Sequence, residues 1–494
     1  MDEDAWTSGP FTAGDTDNTR RLRGHAGVIL RDALAAVDPS RLVEAALRER
    51  PLPPGQVRVI AFGKAAAAMA RGAISALGSR VRHGIVVVPH GTVQDVAVRA
   101  PFEVRTGGHP EPDADSVAAG RAVLDVARRT GPDEVLLALV SGGGSAIVAL
   151  PPNGVSLDDV VGVTRALMHA GAPIDALNVV RKHLDALKGG RLARASTAGA
   201  TVALLLSDVP GDRADVIASG PFAPDPTTID DAIAVLREYG VWSTVPDRVR
   251  SYLERAARSA ERDSPAVGDP CFDRVTSTVI GGNGTALAAA ARTAASLGYR
   301  VELDPEALVG EARDVGRRFV VAAGTGDVGG RSGASVPPGD ARGRFAAVTT
   351  AGSATGEAGS ASVASAVCRL AGGETTVTVR GGGRGGRNQE LVLGAALAID
   401  GVEAVVIASV GTDGIDGPTG AAGAIADGAT IRRARERGLD AGEHLTRNDA
   451  FAFFEPLDDL IVTGPTGTNV MDVQLALVAT ERTARSNVSG ARSD

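Results

Sequence analysis

Residues 374–397 read ETTVTVRGGGRGGRNQELVLGAAL. The β-rich run Thr375–Val379 predicts a strand. Five glycines follow, Gly381, Gly382, Gly383, Gly385 and Gly386, with Arg384 and Arg387 among them, and a helix is predicted from about Asn388. Strand, glycine loop and helix in that order form the repeating unit of an α/β protein. Glycine lets the backbone approach a ligand closely. A helix N-terminus offers free N–H groups and partial positive charge. Two guanidiniums beside such a terminus suit a phosphate or a carboxylate. The stretch therefore predicts a protein that handles a phosphorylated or acidic small molecule.

Outward from this segment the same grammar recurs. Short apolar runs lie at Val57–Phe62, His83–Val88, Val135–Val140, Thr201–Leu206, Ser277–Ile280, Thr375–Val379, Ala404–Val410 and Asp459–Val462, most of them ending in glycine or a turn signal. Helical stretches separate them, which predicts an α/β fold with largely parallel sheets. In such sheets ligands sit at the carboxyl ends of the strands, where the glycine motifs fall. Arg31–Arg50 reads as an amphipathic helix with Leu34, Val37, Leu42, Val43, Ala46 and Leu47 available for a buried face. Residues 1–22 read as a disordered tail, 324–366 as a mobile insertion or surface loop, and 483–494 as a frayed tail. A domain boundary is expected near residues 260–275, at the polar segment Arg258–Pro270.

Composition narrows the function. A chain of 494 residues with 44% hydrophobic content forms sizeable cores in two or three domains. An aromatic content of 3% argues against base-stacking sites, and a net charge of −8 disfavours nucleic acid and anionic membrane as partners. Cys271 and Cys368 read as reduced thiols in a cytoplasmic protein, with no zinc spacing. The acidic start is not a signal peptide, and no run approaches the roughly 18 apolar residues of a membrane span.

Several motifs carry chemistry. Gly63-Lys64 follows the run Val57–Phe62 and opens an alanine-rich helix, so Lys64 either reaches a phosphate or is an ordinary helix-start lysine. Ser141, Gly142, Gly143, Gly144 and Ser145 offer backbone N–H groups and hydroxyls to a nucleotide phosphate, or form a plain tight turn. NVVRKHLDALKGGRLA, residues 178–193, reads as a helix ending at Gly189-Gly190, its charges a solvated face. Asp208 in SDVPGD (207–212) and Asp413 in GTDGIDG (411–417) sit just past strands, where carboxylates can hold Mg²⁺ or accept a hydroxyl proton. Cationic cradles beside acidic strand ends are what phosphoryl transfer requires. Gly381-x-Gly383-x-x-Gly386 also fits a dinucleotide fingerprint, weakly, because arginines crowd it. His109 and His183 read as structural.

Taken together, GKAA (63–66), GGHPEPD (107–113), SGGGSA (141–146), NVVRKHLDALKGGRLA (178–193), LSDVPGD (206–212), SGP (219–221), GEA (310–312), GGETTVTVRGGGRGGRNQE (372–390), GTDGIDGPTGAAG (411–423) and GPTGTNVMD (464–472) resemble the glycerate 2-kinases with a C-terminal MOFRL region, a family once labelled hydroxypyruvate reductase. The segments run in order from about residue 25 to 480. The resemblance implies two α/β domains, at about 23–265 and 266–482, each a largely parallel sheet with flanking helices. The active site then lies in the cleft between them, and the MOFRL region covers about 370–480. It implies transfer of the γ-phosphoryl group of ATP to the 2-hydroxyl of D-glycerate, with Mg²⁺ or another divalent cation, and leaves a homodimer open. Matched motif to motif, Lys64 and Arg387 would neutralise phosphate and carboxylate. Of Asp208 and Asp413, one would serve the hydroxyl and the other the metal. Gly385, Gly386 and Asn388 join the phosphate site. Ala371 and Met471 depart from the family pattern without removing a charge. The competing readings are an NAD(P)H-dependent hydroxypyruvate reductase and a non-catalytic binder of sugar acids or nucleotides.

Overall fold

A computed structural model describes residues 6, 8–92, 101–259, 263–325 and 366–479. Its first sheet has the order β3-β2-β1-β4-β5-β6 and is parallel throughout, from β1 (Val57–Phe62), β2 (Val81–Pro89), β3 (Phe102–Gly107), β4 (Val135–Val140), β5 (Ala200–Leu206) and β6 (Val275–Gly281). Helices cover both faces of such a sheet, so central strands become continuous apolar runs. β4, VLLALV, is buried at every position.

The second sheet has the order β11-β10-β9-β12-β8-β7, from β7 (Arg300–Leu303), β8 (Val367–Gly373), β9 (Val405–Gly411), β10 (Gly423–Asp427), β11 (Leu460–Ile461) and β12 (Asp472–Val478). The α/β class and the two-sheet plan are as expected, but this sheet is mixed. Only β7–β8 is parallel. The cause is local. β9 returns into β10 through a loop without a crossover helix, and a direct return forces antiparallel pairing.

Three other expectations are corrected. Thr375–Val379 is not a strand. The ladder beside β12 is filled by β8, just upstream, and residues 374–386 run as a loop whose one bridge, Thr376 to Glu311, is to a residue just ahead of helix Ala312–Val320 and outside both sheets. The helix over Arg31–Arg50 is two helices, Asp17–Ala35 and Pro39–Glu49. Asp38 caps the second by accepting from the Ser40 and Arg41 amides, and Pro39 takes its first turn. The segment up to residue 22 is not all tail. Trp6 and Phe11 are buried and stacked at 5.5 Å, and residues 17–22 begin the first helix. The expected boundary at 265/266 falls ahead of β6, which still belongs to the first sheet. Most of the segment 324–366 and the tail 483–494 lie outside the described residues.

One apolar core runs from the first sheet, through the helices Asp17–Ala35, Pro39–Glu49, Ala66–Leu77 and Asn283–Ser296, to the inner face of the second sheet. A separate helical layer, Leu157–His169, Ile174–His183, Ile229–Glu238 and Asp247–Ala257, has its own core. Among the described residues no helix is long and apolar enough to cross a membrane. The carboxyl ends of β1, β4, β5 and β9 lead directly into Lys64, the serine–glycine loop, Asp208 and Asp413.

Candidate active site

The loops after β1 and β4 are fastened to each other. The Ser141 hydroxyl accepts from the Ala65 amide at 3.0 Å, and the Lys64 amide donates to the Gly142 carbonyl at 2.9 Å. Ser141 is buried, so its hydroxyl holds the loop and is not presented to a phosphate. Ser145 bonds Ser219 at 2.8 Å, beside Ala218 and Ser219, both at positive φ. Non-glycine residues held there mark strain that the surroundings must enforce. The amides of Gly142 and Gly143 have no acceptor among the described residues, which leaves them to an anion.

Lys64 reaches across from the first sheet to the second. Its Nζ lies 3.4 Å from Asp413, whose other carboxylate oxygen accepts from the Ile415 amide. Asp208 stands beside Gly142, where an added Cβ would come within 1.9 Å of its carboxylate, so only glycine fits. Burial pushes the Asp208 carboxyl up to about 6, and its own amide and then Lys64 pull it back only in part. His109 packs against Gly143 on the other side, and burial, then Lys64, lowers its pKa.

These groups border a cavity of about 830 Å³, which Lys64 and Asp413 themselves do not line. His109, Gly143, Ser145 and Asp208 line it from the first sheet, Glu374 and Met471 from the second. Met471 has φ +68, and its carbonyl is held by the amide and hydroxyl of Thr412. The expectation of a site in the cleft between the two sheets matches this geometry.

The glycine–arginine loop 381–387 is not an open anion cradle. Helix Arg387–Ala398 has its N-terminus occupied by a protein carboxylate. Asp416 accepts from the amides of Asn388 at 3.0 Å and Gln389 at 2.9 Å. Asn388 is fully buried, its side chain bonded to Asp416 and Ser409. A Cβ at Gly386 would lie 2.3 Å from Asp416, so that glycine admits the carboxylate, not a ligand. Gly385 packs beside Ala450, and Gly381 and Gly383 against Arg447 and Asp449, which removes the space a dinucleotide would need. The phosphate-binding expectation for Gly385, Gly386 and Asn388 is therefore corrected. Arg384 stacks on Phe451 at 4.6 Å. Arg387 is gripped bidentately by buried Asp472, at 2.6 and 2.8 Å, with Nη1 3.1 Å from Glu374. Burial opposes its charge, but Asp472 more than offsets this and holds its pKa above the ordinary arginine value.

The charged segment 178–193 departs from the expected solvated helix. It is not a solvated face and not one helix. Helix Ile174–His183 ends in a turn, and a short helix, Arg191–Ala195, follows. Lys182, His183, Asp185, Lys188 and Arg191 are all buried. Lys182 meets Asp225 and Asp215, His183 and Arg191 meet Asp263, and Lys188 meets Asp185 at 2.6 Å. The partners Asp215, Asp225 and Asp263 are distant in sequence, so charge spacing alone could not reveal them. Among the described residues, the grouping close enough for three metal ligands is His90, Asp113 and Asp115. None of the three lines the cavity, and Asp113 caps helix Ala114–Arg129 there.

Residues 25–254 match the model described as "Domain of unknown function (DUF4147)", and 367–472 match the MOFRL family. The chain is 37% identical over 450 residues to the D-glycerate 2-kinase of Thermotoga maritima, covering 91% of this chain and 97% of that one. It is 35% identical over 429 residues to the glycerate 2-kinase of Pyrococcus horikoshii, covering 87% and 88%. The crystal structure of a glycerate kinase from Thermotoga maritima superposes with a TM-score of 0.76 at 35% identity, covering 93% of this chain and 99% of that one. At this identity over nearly the whole length of both chains, the protein belongs to the glycerate kinase family whose C-terminal part is the MOFRL region.

Proposed function

We propose that this protein transfers the γ-phosphoryl group of ATP to the 2-hydroxyl of D-glycerate. The observation that carries the reading is the meeting of Lys64, Asp208 and Asp413, from strand ends of two sheets, beside one cavity with free glycine amides. Phosphoryl transfer is governed by positioning and charge neutralisation, and this arrangement supplies both.

The two aspartates divide by environment. Asp413 is paired with Lys64. No side chain among the described residues bonds the Asp208 carboxylate, and its raised pKa suits a general base working near neutrality. Asp208 takes the proton of the 2-hydroxyl as the oxygen attacks the γ-phosphorus. The bond from that phosphorus to the β-phosphate oxygen breaks, and ADP leaves. Lys64 and the amides of Gly142 and Gly143 stabilise charge on the phosphoryl oxygens. Arg387, fixed by Asp472, presents a rigid cation at the Glu374 edge of the cleft.

A divalent cation fits the donor set. Asp413 would hold it, and a site with only one or two protein carboxylates is the usual one for Mg²⁺ bound largely through substrate phosphates. When bound, it supplies further neutralisation of the β- and γ-phosphate oxygens. The test is ³¹P NMR of purified protein with ATP, Mg²⁺ and D-glycerate. A growing 2-phosphoglycerate signal is the expected result. A 3-phosphoglycerate signal overturns the regiochemistry, and no phosphoester overturns the kinase.

A further inference from the structure

Arg181 stands outside the group of Lys64, Asp208, Asp413 and Arg387. It projects from helix Ile174–His183 into the same cavity, on one face with Ile174, Asp175 and Asn178. Its neighbour Lys182, about 100° further round the helix, turns inward to Asp225 and Asp215. Arg181 is half-buried, yet no hydrogen bond or ion pair engages its guanidinium among the described residues.

Other arginines withdrawn from solvent are matched by carboxylates. Arg23 has Asp427 and Asp459, Arg191 has Asp263, Arg313 has Glu390, Arg369 has Asp304 and Arg387 has Asp472. The obvious partner for Arg181 is Asp185, one helical turn on. That carboxylate is already taken. One oxygen accepts from Lys188 Nζ at 2.6 Å and the Leu150 amide at 3.0 Å, the other from the Leu187 amide at 2.8 Å. Asp215, which lies on the far side of Lys182 in the ion-pair network, is bound by Arg213 and Lys182. Asp185 and Asp215 are thus committed to other cations.

We propose that Arg181 is a substrate-binding residue whose guanidinium takes an oxyanion entering the cavity, either the carboxylate of glycerate or the phosphate chain of the nucleotide. A planar fork of N–H donors, partly desolvated and unpaired, matches both groups bidentately. Burial alone lowers its pKa, with no carboxylate raising it back, so an arriving anion gains a cation whose hydration is already reduced. The assignment rests on the kinase reading for the identity of the anions, but not for their capture.

Arg181→Met and Arg181→Lys in the full chain test it, after thermal unfolding confirms that each variant is folded. The expected result is a KM for one substrate raised roughly tenfold or more in Arg181→Met, the scale of a lost charge-assisted hydrogen bond, and partly restored in Arg181→Lys. A raised KM for D-glycerate assigns the carboxylate, and a raised KM for ATP assigns the phosphates. Calorimetric titration of wild type and variant with D-glycerate, ADP and pyrophosphate gives the same comparison without turnover. If the wild type proves not to be a kinase, that comparison still decides the role of Arg181. Affinities within about twofold of wild type for every ligand, including the case of a fall in kcat alone, overturn the proposal.

Discussion

Asp208 concentrates the chemistry at the scale of single residues. Its folded pKa of about 6 lies above the ordinary aspartate value, so its ionised form costs stability. The sign follows from linkage. The native state binds more protons than the unfolded state between about pH 4 and 6, so this contribution falls as pH rises through that window and is lowest above it. Asp208→Asn should therefore raise stability near pH 7 by on the order of 1–3 kcal/mol, with the gain vanishing near pH 4. The same change should lower kcat by on the order of a hundredfold or more. Denaturant unfolding at two pH values and steady-state kinetics check both. In the wild type, kcat/KM should fall on the acid side with an apparent pKa of about 6, read from a pH–rate profile. Lys64→Ala should also cost on the order of a hundredfold in kcat, and full activity there would sink the site assignment. The positions of Lys64, Asp208 and Asp413 just past strand ends were legible in sequence because each follows a recognisable apolar run. Arg181 was not, because what distinguishes it is the absence of a partner, and that depends on where Asp185 and Asp215 are committed.

Among elements, helix Arg387–Ala398 decides how Arg387 is held. It packs on helix Ala312–Val320 through two glycines. A Cβ at Gly394 would lie 2.2 Å from the Arg313 carbonyl, and one at Gly316 would lie 2.0 Å from the Leu391 carbonyl. Gly394→Ala should destabilise by about 1–3 kcal/mol through overpacking. Asp416→Ala should cost a similar amount, about 1–3 kcal/mol, because it orphans two buried amides at the helix start. Melting temperatures measure both. The glycine–arginine loop was legible as a helix entry with an anion at its N-terminus. That the anion is Asp416, delivered by the other glycine loop, was not, since a carboxylate from a neighbouring loop meets the same N–H groups as a phosphate would.

At the scale of the whole molecule, the first helix ties the chain together. Arg23 is fully buried and bonds Asp427 at the end of β10 and Asp459 just before β11, and Arg433 completes the cluster. Arg23→Met leaves two buried aspartates to Arg433 alone and should cost about 3 kcal/mol or more, seen as a lower denaturant midpoint with an unchanged slope. The sequence by itself determined the α/β class, the strands β1, β4 and β5 and the residues that follow them, because a strand buried on both faces must be an unbroken apolar run ending in a turn. Tertiary structure alone decided the mixed pairing of the second sheet and the burial of the 182–191 charges. It also decided which cations stay free in the cleft, since pairing depends on carboxylates that the chain brings from distant positions.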